Sequence, residues 1–229
     1  NLNAGNFDNS KLYQKIKICS CSNCGHIFNG LTHEEYDGII DYYNNEYAPA
    51  NIGGASLGGD RPGSRNEYTE NRHKELYNLF KPSVQSNIKI LDIGCAMGGM
   101  LSFLYDEGFR NLYGIDLTTK YLNIAKENKN LKIEFGSAEE IPFEDNCFDL
   151  LIIDQVMEHL INPRKAFQEA KRVLKKDGLF CIGVPNAEKY SELYFFDFYW
   201  FLMREHIQHF DLIHLEMLAN SEGFELVNF

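Results

Sequence analysis

A short stretch, residues 88–100, limits more strongly than any other what this chain can fold into. Its first half is rich in Ile and Leu, which is typical of a buried parallel strand. Gly94, Ala96 and Gly98 follow, and after them comes an apolar pattern with helical spacing. A strand, a glycine-rich turn and a helix in this order present free backbone N–H groups to a polar ligand. The stretch therefore predicts a ligand-binding turn at the edge of a parallel sheet.

A second feature is Asp116, which ends the next apolar strand, about 20 residues after the glycine turn. An acid at that point can accept hydrogen bonds from both ribose hydroxyls of a nucleoside-containing cofactor. The same spacing suits a dinucleotide-binding oxidoreductase, so the composition of the turn must separate the two classes. Asp92 lies just before Gly94, and an acidic side chain there suits a cationic ligand better than a pyrophosphate.

The pattern Asp92-x-Gly94-x-Ala96-x-Gly98 resembles motif I of the class I S-adenosylmethionine (SAM) dependent methyltransferases. SAM carries a cationic sulfonium and no pyrophosphate. The resemblance spans residues 67–229 and implies an α/β fold: a Rossmann-like, doubly wound, mostly parallel sheet. A small N-terminal appendage and an aromatic-rich insert after strand five would be added to it. Ala96 departs from the glycine of the motif, because alanine adopts a positive φ only at a cost.

The resemblance also implies which residues contact the cofactor. Asp116 would hold the ribose, and Leu117 would give the adenine ring an apolar face. The backbone N–H of Ala138 would meet a ring nitrogen, while Glu139 would accept from the exocyclic amine. Arg72, on a helix before the glycine turn, would pair with the methionine carboxylate in bidentate fashion. The alternative for Arg72 is an ordinary exposed arginine.

The alternation of strands and helices from residue 88 to residue 184 predicts a mostly parallel sheet with helices on both faces. Its fourth strand, 148–154, ends in Asp154 and Gln155, and so delivers these two residues to the methyl donor. Residues 223–227 resemble a sixth strand. The family has a seventh, antiparallel strand, and we expect the chain to be clipped before it.

Glu158 and His159 follow the fourth strand. A Glu-His pair here also occurs in RNA 3′-terminal methyltransferases, in which both side chains bind a metal together with a further Glu and His. His206 and His209 could supply the histidine, but the acidic charge of the chain argues against an RNA substrate. The alternative is that the pair caps a helix or binds nearby backbone.

Residues 187–210 crowd aromatic side chains between two predicted elements, which favours a substrate pocket or a dimer face. In related sugar C- and O-methyltransferases, a histidine of this region faces the substrate. The resemblance makes His206 the first candidate for a general base, His209 the second, and Glu205 the orienting partner. Alternatively, these residues cap the following helix.

The N-terminal segment, residues 1–63, precedes a methyltransferase domain predicted for residues 64–229. Cys21 and Cys24 have the spacing of a zinc knuckle, and they resemble the second half of a zinc ribbon found before some sugar methyltransferase domains. The first half would then lie upstream. Free thiols are the alternative. Tyrosines and glycines further along the segment suggest either a lid over the substrate or a packed linker.

The net charge of −11 argues against nucleic acid and anionic membranes as partners. No apolar run reaches the roughly 20 residues needed to cross a bilayer. The six cysteines form no disulfide framework, which favours a reducing cytoplasm. We expect a monomer or homodimer that acts on a small molecule.

Together these features predict a SAM-dependent methyltransferase that modifies O, N or C of a small metabolite. A sugar-linked acceptor of surface polysaccharide (capsule) or natural-product biosynthesis is the favoured substrate. The alternatives are an RNA 3′-terminal methyltransferase, a nucleotide-binding oxidoreductase and a non-catalytic SAM-binding module.

Overall fold

The computed structural model describes residues 2–3, 15–43, 45, 63–192 and 205–228. Ten strands lie in these ranges: β1 Leu2–Asn3, β2 Lys15–Ile16, β3 Ile18–Ser20, β4 Ile27–Asn29, β5 Lys89–Ile93, β6 Asn111–Asp116, β7 Lys132–Phe135, β8 Phe148–Asp154, β9 Leu174–Gly183 and β10 Gln208–His209. The α-helices are α1 His33–Tyr42, α2 Glu67–Phe80, α3 Gly99–Asp106, α4 Thr119–Ala125, α5 Pro163–Val173 and α6 Leu212–Ser221. Short 3-10 turns cover Lys81–Ser83, Met157–His159 and Ala187–Glu192.

The centre of the fold is a five-stranded sheet in the order β7-β6-β5-β8-β9. Every neighbouring pair in this sheet is parallel. Its middle strands consist of apolar residues that are almost fully buried, such as Leu91, Ile115 and Leu151. Burial on both sides requires cover by other elements, and two separate apolar clusters provide it. The α/β, Rossmann-like architecture expected from the sequence is confirmed.

Helix starts follow the local sequence. Asn66 caps α2 in a capping box with Thr69, and Asn162 caps α5 ahead of Pro163. Asp211 caps α6 by accepting from the backbone N–H of His214. These caps fix where each helix begins, and therefore where the loops at the strand ends begin.

A small antiparallel sheet, β10-β4-β3, joins two distant parts of the chain. His209 of β10 pairs with Ile27 of β4, and the backbone N–H of Asn29 donates to the carbonyl of Ile207 at 2.8 Å. This pairing carries the segment around residue 206 to the region that follows β8, since the N–H of Ile207 donates to the carbonyl of Glu158 at 2.7 Å.

Two expectations about strands were wrong. Residues 223–228 form no strand; after α6, Gly223 takes φ +84° and the ring of Phe224 packs against Phe167 and Phe180. The Phe224 side chain packs into the apolar core, but its backbone does not pair with the sheet. The sequence predicts the fifth strand over residues 179–184, but β9 begins at Leu174, which is buried and lies opposite Phe148 in the sheet.

Residues 193–204 of the predicted aromatic insert, and most of the predicted lid, lie outside the described residues. Within the described ranges, no helix is long and apolar enough to cross a membrane.

Candidate active site

The glycine turn between β5 and α3 is held against the neighbouring strand. The backbone N–H groups of Gly94 and Cys95 both donate to the carbonyl of Ile115, at 2.8 and 3.0 Å. Gly94 has φ +75°, and a Cβ there would overlap the side chain of Val156. Gly98 has φ +80° and forms the left-handed N-cap of α3. These two positions require glycine, as the motif predicts.

Ala96 adopts a positive φ of 43°, which is unusual for a residue with a side chain. Its N–H donates to Asp116 Oδ2 at 2.9 Å, and the other carboxylate oxygen of Asp116 accepts from the N–H of Thr118 at 2.7 Å. The carboxylate at the end of β6 therefore holds the backbone of the glycine turn in place through a hydrogen bond. The predicted departure from the motif is accommodated by a hydrogen bond to this charged group.

The segment just before α2 covers the turn, a contact that the sequence analysis missed. A Cβ on Gly63 would overlap the backbone nitrogen of Met97, and a Cβ on Gly99 would overlap the carbonyl of Ser64. Two glycines therefore allow backbone to lie directly on backbone. In the sequence, the one indication of this contact is Gly63, which lies in the predicted N-terminal segment, 1–63.

Three carboxylates converge at the carboxyl ends of neighbouring strands: Asp92, Asp116 and Asp154. Burial raises the pKa of Asp92 well above its ordinary value, and the charges of Asp154 and Asp116 add to that shift. Burial also raises the pKa of Asp116, against the stabilising N–H groups of Thr118 and Ala96. Three acids therefore lie close together at this edge, and a cationic ligand bound beside them would favour their ionised forms.

Arg72 from α2 reaches the same edge. Its Nε lies 2.8 Å from Asp154 Oδ2 in a half-buried ion pair. The helix therefore brings the guanidinium to the strand ends, as its spacing suggested, but the partner in this structure is a carboxylate of the protein itself. The assignment of Arg72 to the methionine carboxylate stays a prediction.

The side predicted to hold adenine is formed by Leu117, Ala138 and Glu139. Leu117 exposes half of its surface, so an apolar face is available there, whereas Ala138 is buried. Glu139 Oε1 accepts from the N–H of Asn162 at 3.0 Å, which ties this loop to the start of α5. The structure leaves these three cofactor contacts as predictions. Gln155, next to Asp154, adopts φ +56°, and its N–H donates to the carbonyl of Gly183.

A second cluster lies immediately after β8. Glu158, His159 and His206 place one potential ligand atom each within 4.8 Å of one another. The ring centroids of His159 and His206 are 4.9 Å apart. Glu158 is 1% exposed, and neither of its carboxylate oxygens has a hydrogen-bond partner in the part of the chain that the structure describes. Burial raises its pKa to about 8, and Asp154 adds to the shift.

The imidazole of His159 is fixed by its Nδ1 atom. That atom lies 2.6 Å from the Tyr43 hydroxyl and 2.9 Å from the carbonyl oxygen of Glu205. Burial, and then the neighbouring His206, lower the pKa of His159 to about 3, so the ring is neutral at physiological pH. Of the alternatives for the Glu-His pair, backbone contact applies to both: His159 contacts the carbonyl of Glu205, and the backbone N–H of Glu158 lowers the pKa of its own carboxyl against the effect of burial.

The predicted base His206 is buried, and its backbone carbonyl accepts from the Asn29 side chain at 2.8 Å. His209, the second candidate, lies 2.8 Å from the Tyr190 hydroxyl and 3.0 Å from Asn29 Oδ1. Burial lowers the pKa of His209 to about 4. Glu205 contributes a carbonyl to His159. None of the three caps α6, since Asp211 does so.

The Cys21 and Cys24 pair lies in the turn between β3 and β4. Hydrogen bonds from Cys24, chiefly its backbone, lower the pKa of the Cys21 thiol. Gly25, at φ +89°, closes the turn, and the carbonyl of Cys24 lies 2.8 Å from His214 Nε2. Among the described residues, no third ligand joins this pair in a metal-binding group.

Comparison with known proteins agrees with this geometry. A family described as "Methyltransferase domain" matches residues 91–182. The uncharacterized protein MJ1123 of Methanocaldococcus jannaschii is 33% identical over 100 residues, covering 44% of this chain and 46% of that protein. The ubiquinone/menaquinone biosynthesis C-methyltransferase UbiE of Campylobacter jejuni is 29% identical over 118 residues, covering 48% of this chain and 50% of that protein. The chain thus spans about half the length of these curated relatives.

The fold has solved counterparts. The crystal structure of PH0226 from Pyrococcus horikoshii covers 84% of this chain and 90% of its own, with 22% identity and a TM-score of 0.58. The glycine turn and the acid of β6 both lie within the matched family region. The cofactor expected for that family is SAM. Residues 91–182 therefore carry a methyltransferase domain, and the likeness to UbiE supports a class I SAM-dependent methyltransferase.

Proposed function

We propose that this protein is an enzyme that transfers the methyl group of SAM to an oxygen, nitrogen or carbon atom of a small metabolite. The observation that carries the proposal is the group of acids Asp92, Asp116 and Asp154 beside a turn in which Gly94 and Gly98 adopt a positive φ. A pyrophosphate would be repelled by these carboxylates, whereas an ammonium and a sulfonium would be attracted.

The residues of this edge would hold SAM as follows. The turn at Gly94 to Gly98 would lie along the amino-acid part, and Asp116 would accept from the ribose hydroxyls. Leu117 would lie against the adenine. Arg72 would pair with the methionine carboxylate, either in place of its ion pair with Asp154 or in addition to it. When bound, the cofactor supplies an already activated methyl group, so the protein has to align the acceptor, exclude water and receive a proton.

The acceptor would lie on the side of Asp154 that leads to Glu158, His159 and His206. These groups are close enough to Asp154 for its charge to act on Glu158. The cluster offers polar atoms in an otherwise buried setting. His206 is our candidate for the group that takes a proton from the acceptor, because an imidazole can do so near neutral pH.

For the acceptor we propose a sugar-linked metabolite of surface polysaccharide or natural-product biosynthesis. Tyrosine hydroxyls at Tyr43 and Tyr190 lie beside the imidazoles of His159 and His209, a mixture of rings and hydroxyls that suits a hydroxylated substrate. The net charge of −11 supports a small molecule over RNA. The six cysteines are unpaired, which supports a reducing cytoplasmic setting. We propose a monomer or homodimer without nucleic-acid or membrane partners.

A structural zinc ion at Cys21 and Cys24 remains part of the proposal. The exposed turn and the lowered pKa of Cys21 support thiolate binding. Two thiolates fill half of a tetrahedral site, so two further ligands are required. Zinc content of the purified protein, compared with that of a Cys21→Ser/Cys24→Ser variant, tests this part.

The experiment for the main proposal has two stages. Calorimetry with SAM and with NAD first decides the cofactor class; SAM binding with no NAD binding is expected, and the reverse would support an oxidoreductase. Transfer of labelled methyl from SAM to a panel of sugars, sugar nucleotides, small amines, phenols and RNA 3′ ends then identifies the acceptor. Labelling of a small acceptor supports the proposal. SAM binding without transfer to any acceptor would favour a non-catalytic module, and labelling of RNA alone would overturn the acceptor class.

A further inference from the structure

The asparagine that ends β4 joins the N-terminal segment to both histidines predicted as general bases. Asn29 is 3% exposed, and its backbone N–H donates to the carbonyl of Ile207 at 2.8 Å. Its side-chain Nδ2 donates to the backbone carbonyl of His206 at 2.8 Å, and its Oδ1 lies 3.0 Å from Nε2 of the His209 ring. One buried side chain from the N-terminal segment therefore contacts both histidines.

These contacts decide which nitrogen of the His209 ring carries the proton. A backbone carbonyl oxygen only accepts, so the amide of Asn29 turns its NH2 group to His206 and its oxygen to His209. The amide oxygen also only accepts, so Nε2 of His209 carries a proton and donates it. Burial lowers the pKa of His209 to about 4, and the charges of His206 and His26 add to that shift, so the ring is neutral at physiological pH. A neutral ring with its proton on Nε2 has a lone pair on Nδ1.

The phenol of Tyr190 is oriented by that lone pair. Its hydroxyl lies 2.8 Å from Nδ1 of His209, and because Nδ1 accepts, the hydroxyl donates. Burial, and then the charge of Glu158, raise the pKa of Tyr190, so the phenol keeps its single proton at physiological pH. The bond to His209 uses that proton. Any further group that forms a hydrogen bond with the Tyr190 oxygen therefore has to be the donor.

Tyr190 lies near the group of residues that follows β8, where the methyl acceptor is proposed to bind. The charge of Glu158 acts on Tyr190, and the charge of Asp154 acts on Glu158. The 3-10 turn that carries Tyr190 begins at Ala187, whose N–H donates to the carbonyl of Phe210 at 2.8 Å. This bond ties the turn to the segment that follows β10, and so keeps the phenol beside the imidazole.

We propose that Asn29 is a positioning residue which, through His209, turns the Tyr190 hydroxyl so that its oxygen accepts a hydrogen bond from the methyl acceptor. The chemistry that fits is a donor group of the acceptor, a hydroxyl or an ammonium, whereas an ether oxygen or a carboxylate at that point is disfavoured. The role toward the acceptor rests on the proposed methyl transfer. The arrangement of protons on Asn29, His209 and Tyr190 does not.

Nitrogen-15 NMR of the histidine rings in the whole chain tests the arrangement of protons without cofactor or acceptor. At neutral pH, His209 should show a protonated Nε2 and an unprotonated Nδ1, and its signals are assigned by their loss in His209→Gln. Asn29→Asp places a carboxylate against Nε2 and should raise the pKa of His209 by at least about 1. Asn111→Asp is the matched control, because Asn111 also donates its amide to a backbone carbonyl, that of Asn87, at the start of β6. The His209 signals should be unchanged in this control.

Steady-state kinetics test the role of Tyr190 toward the acceptor. For a hydroxylated acceptor that the panel of sugars, sugar nucleotides, amines and phenols identifies, Tyr190→Phe should raise KM roughly 2- to 10-fold, because one hydrogen bond is lost. The change in kcat should be smaller, and SAM affinity should be retained. In Asn29→Asp the protonated ring forces the Tyr190 hydroxyl to turn its proton away, so KM should rise by a similar factor. The double variant Asn29→Asp/Tyr190→Phe should then be no worse than the more affected single variant.

Two results would overturn the inference. One is a proton on Nδ1 of His209 in the unaltered chain at neutral pH, alone or together with one on Nε2. The other is a KM for the acceptor that Tyr190→Phe leaves unchanged. Should Asn29→Asp fail to fold, the unaltered chain and Tyr190→Phe still decide both points. Labelling of no acceptor would refute methyl transfer and the role of Tyr190 toward the acceptor, while the NMR spectrum decides the role of Asn29 independently. The two failures are therefore distinguishable.

Discussion

Replacement of Asp116 by asparagine removes the charge from the acid that the account places at the ribose. In the structure its two oxygens accept from the N–H groups of Ala96 and Thr118, at 2.9 and 2.7 Å. Asparagine keeps the size of the side chain but offers one oxygen, so one N–H faces another donor. A hydrogen bond to a charged group contributes about 1.5–3 kcal/mol. Loss of one such bond to the ribose predicts SAM affinity lower by roughly 10- to 150-fold.

The cost to folding should be smaller than the cost to binding. Burial already raises the pKa of Asp116, so part of the lost hydrogen bonding is offset when the buried charge is removed. Calorimetric titration with SAM gives the affinity, and urea unfolding gives the stability. Asp145→Asn serves as the matched control, because that exposed carboxylate pairs with Arg172 away from the strand ends, and its affinity should be unchanged. A folded Asp116→Asn protein that binds SAM as tightly as the unaltered chain would refute the ribose assignment.

Three further predictions concern the turn and the cluster behind β8. Gly94→Ala should lower the free energy of unfolding by about 2–4 kcal/mol, from the positive φ and the overlap with Val156; urea unfolding should show partial recovery in Gly94→Ala/Val156→Ala, and no loss in the single variant would contradict the geometry. His206→Gln should reduce turnover roughly 100-fold with SAM affinity retained; full activity in a steady-state assay would exclude His206 from proton removal. Burial raises the pKa of Glu158 in the folded protein to about 8, above its ordinary 4.5. Its contribution to the free energy of unfolding is therefore complete below pH 4.5 and is lost as the pH rises to about 8. Between about pH 5.5 and 7, Glu158→Gln should therefore gain stability relative to the unaltered protein by about 1.4 kcal/mol per pH unit, and the gain should level off as the pH passes 8. Parallel stability curves would show that Glu158 is not buried as described.

The fold, and the turn and the acid at the ends of its strands, could be predicted from the sequence because they depend on local patterns. The turn at Gly94 and Gly98 follows from glycine placed between an apolar strand and a helix, and the acid at Asp116 follows from one strand–helix repeat. Both require only that neighbouring parallel strands end at the same edge. The prediction of a sixth strand failed because Phe224 packs against Phe167 and Phe180 in the core. This tertiary contact overrides a strand-like sequence pattern.

The cluster after β8 could be predicted only in part. Glu158 and His159 were visible as a pair, and His206 as a candidate base, but the contact among them depends on β10 pairing with β4. That pairing joins two segments far apart in the sequence and involves a strand of two residues, too short for a pattern to reveal. The ion pair of Arg72 with Asp154 was missed for a related reason, since helical spacing predicts a face but not a partner.

The most direct test of the central claim is a crystal structure with S-adenosylhomocysteine. The account predicts its ribose against the Asp116 carboxylate, its adenine on Leu117 and its amino-acid part along the turn from Gly94 to Gly98. An empty turn in crystals grown at saturating ligand, or a dinucleotide pyrophosphate bound there in its place, would contradict the account.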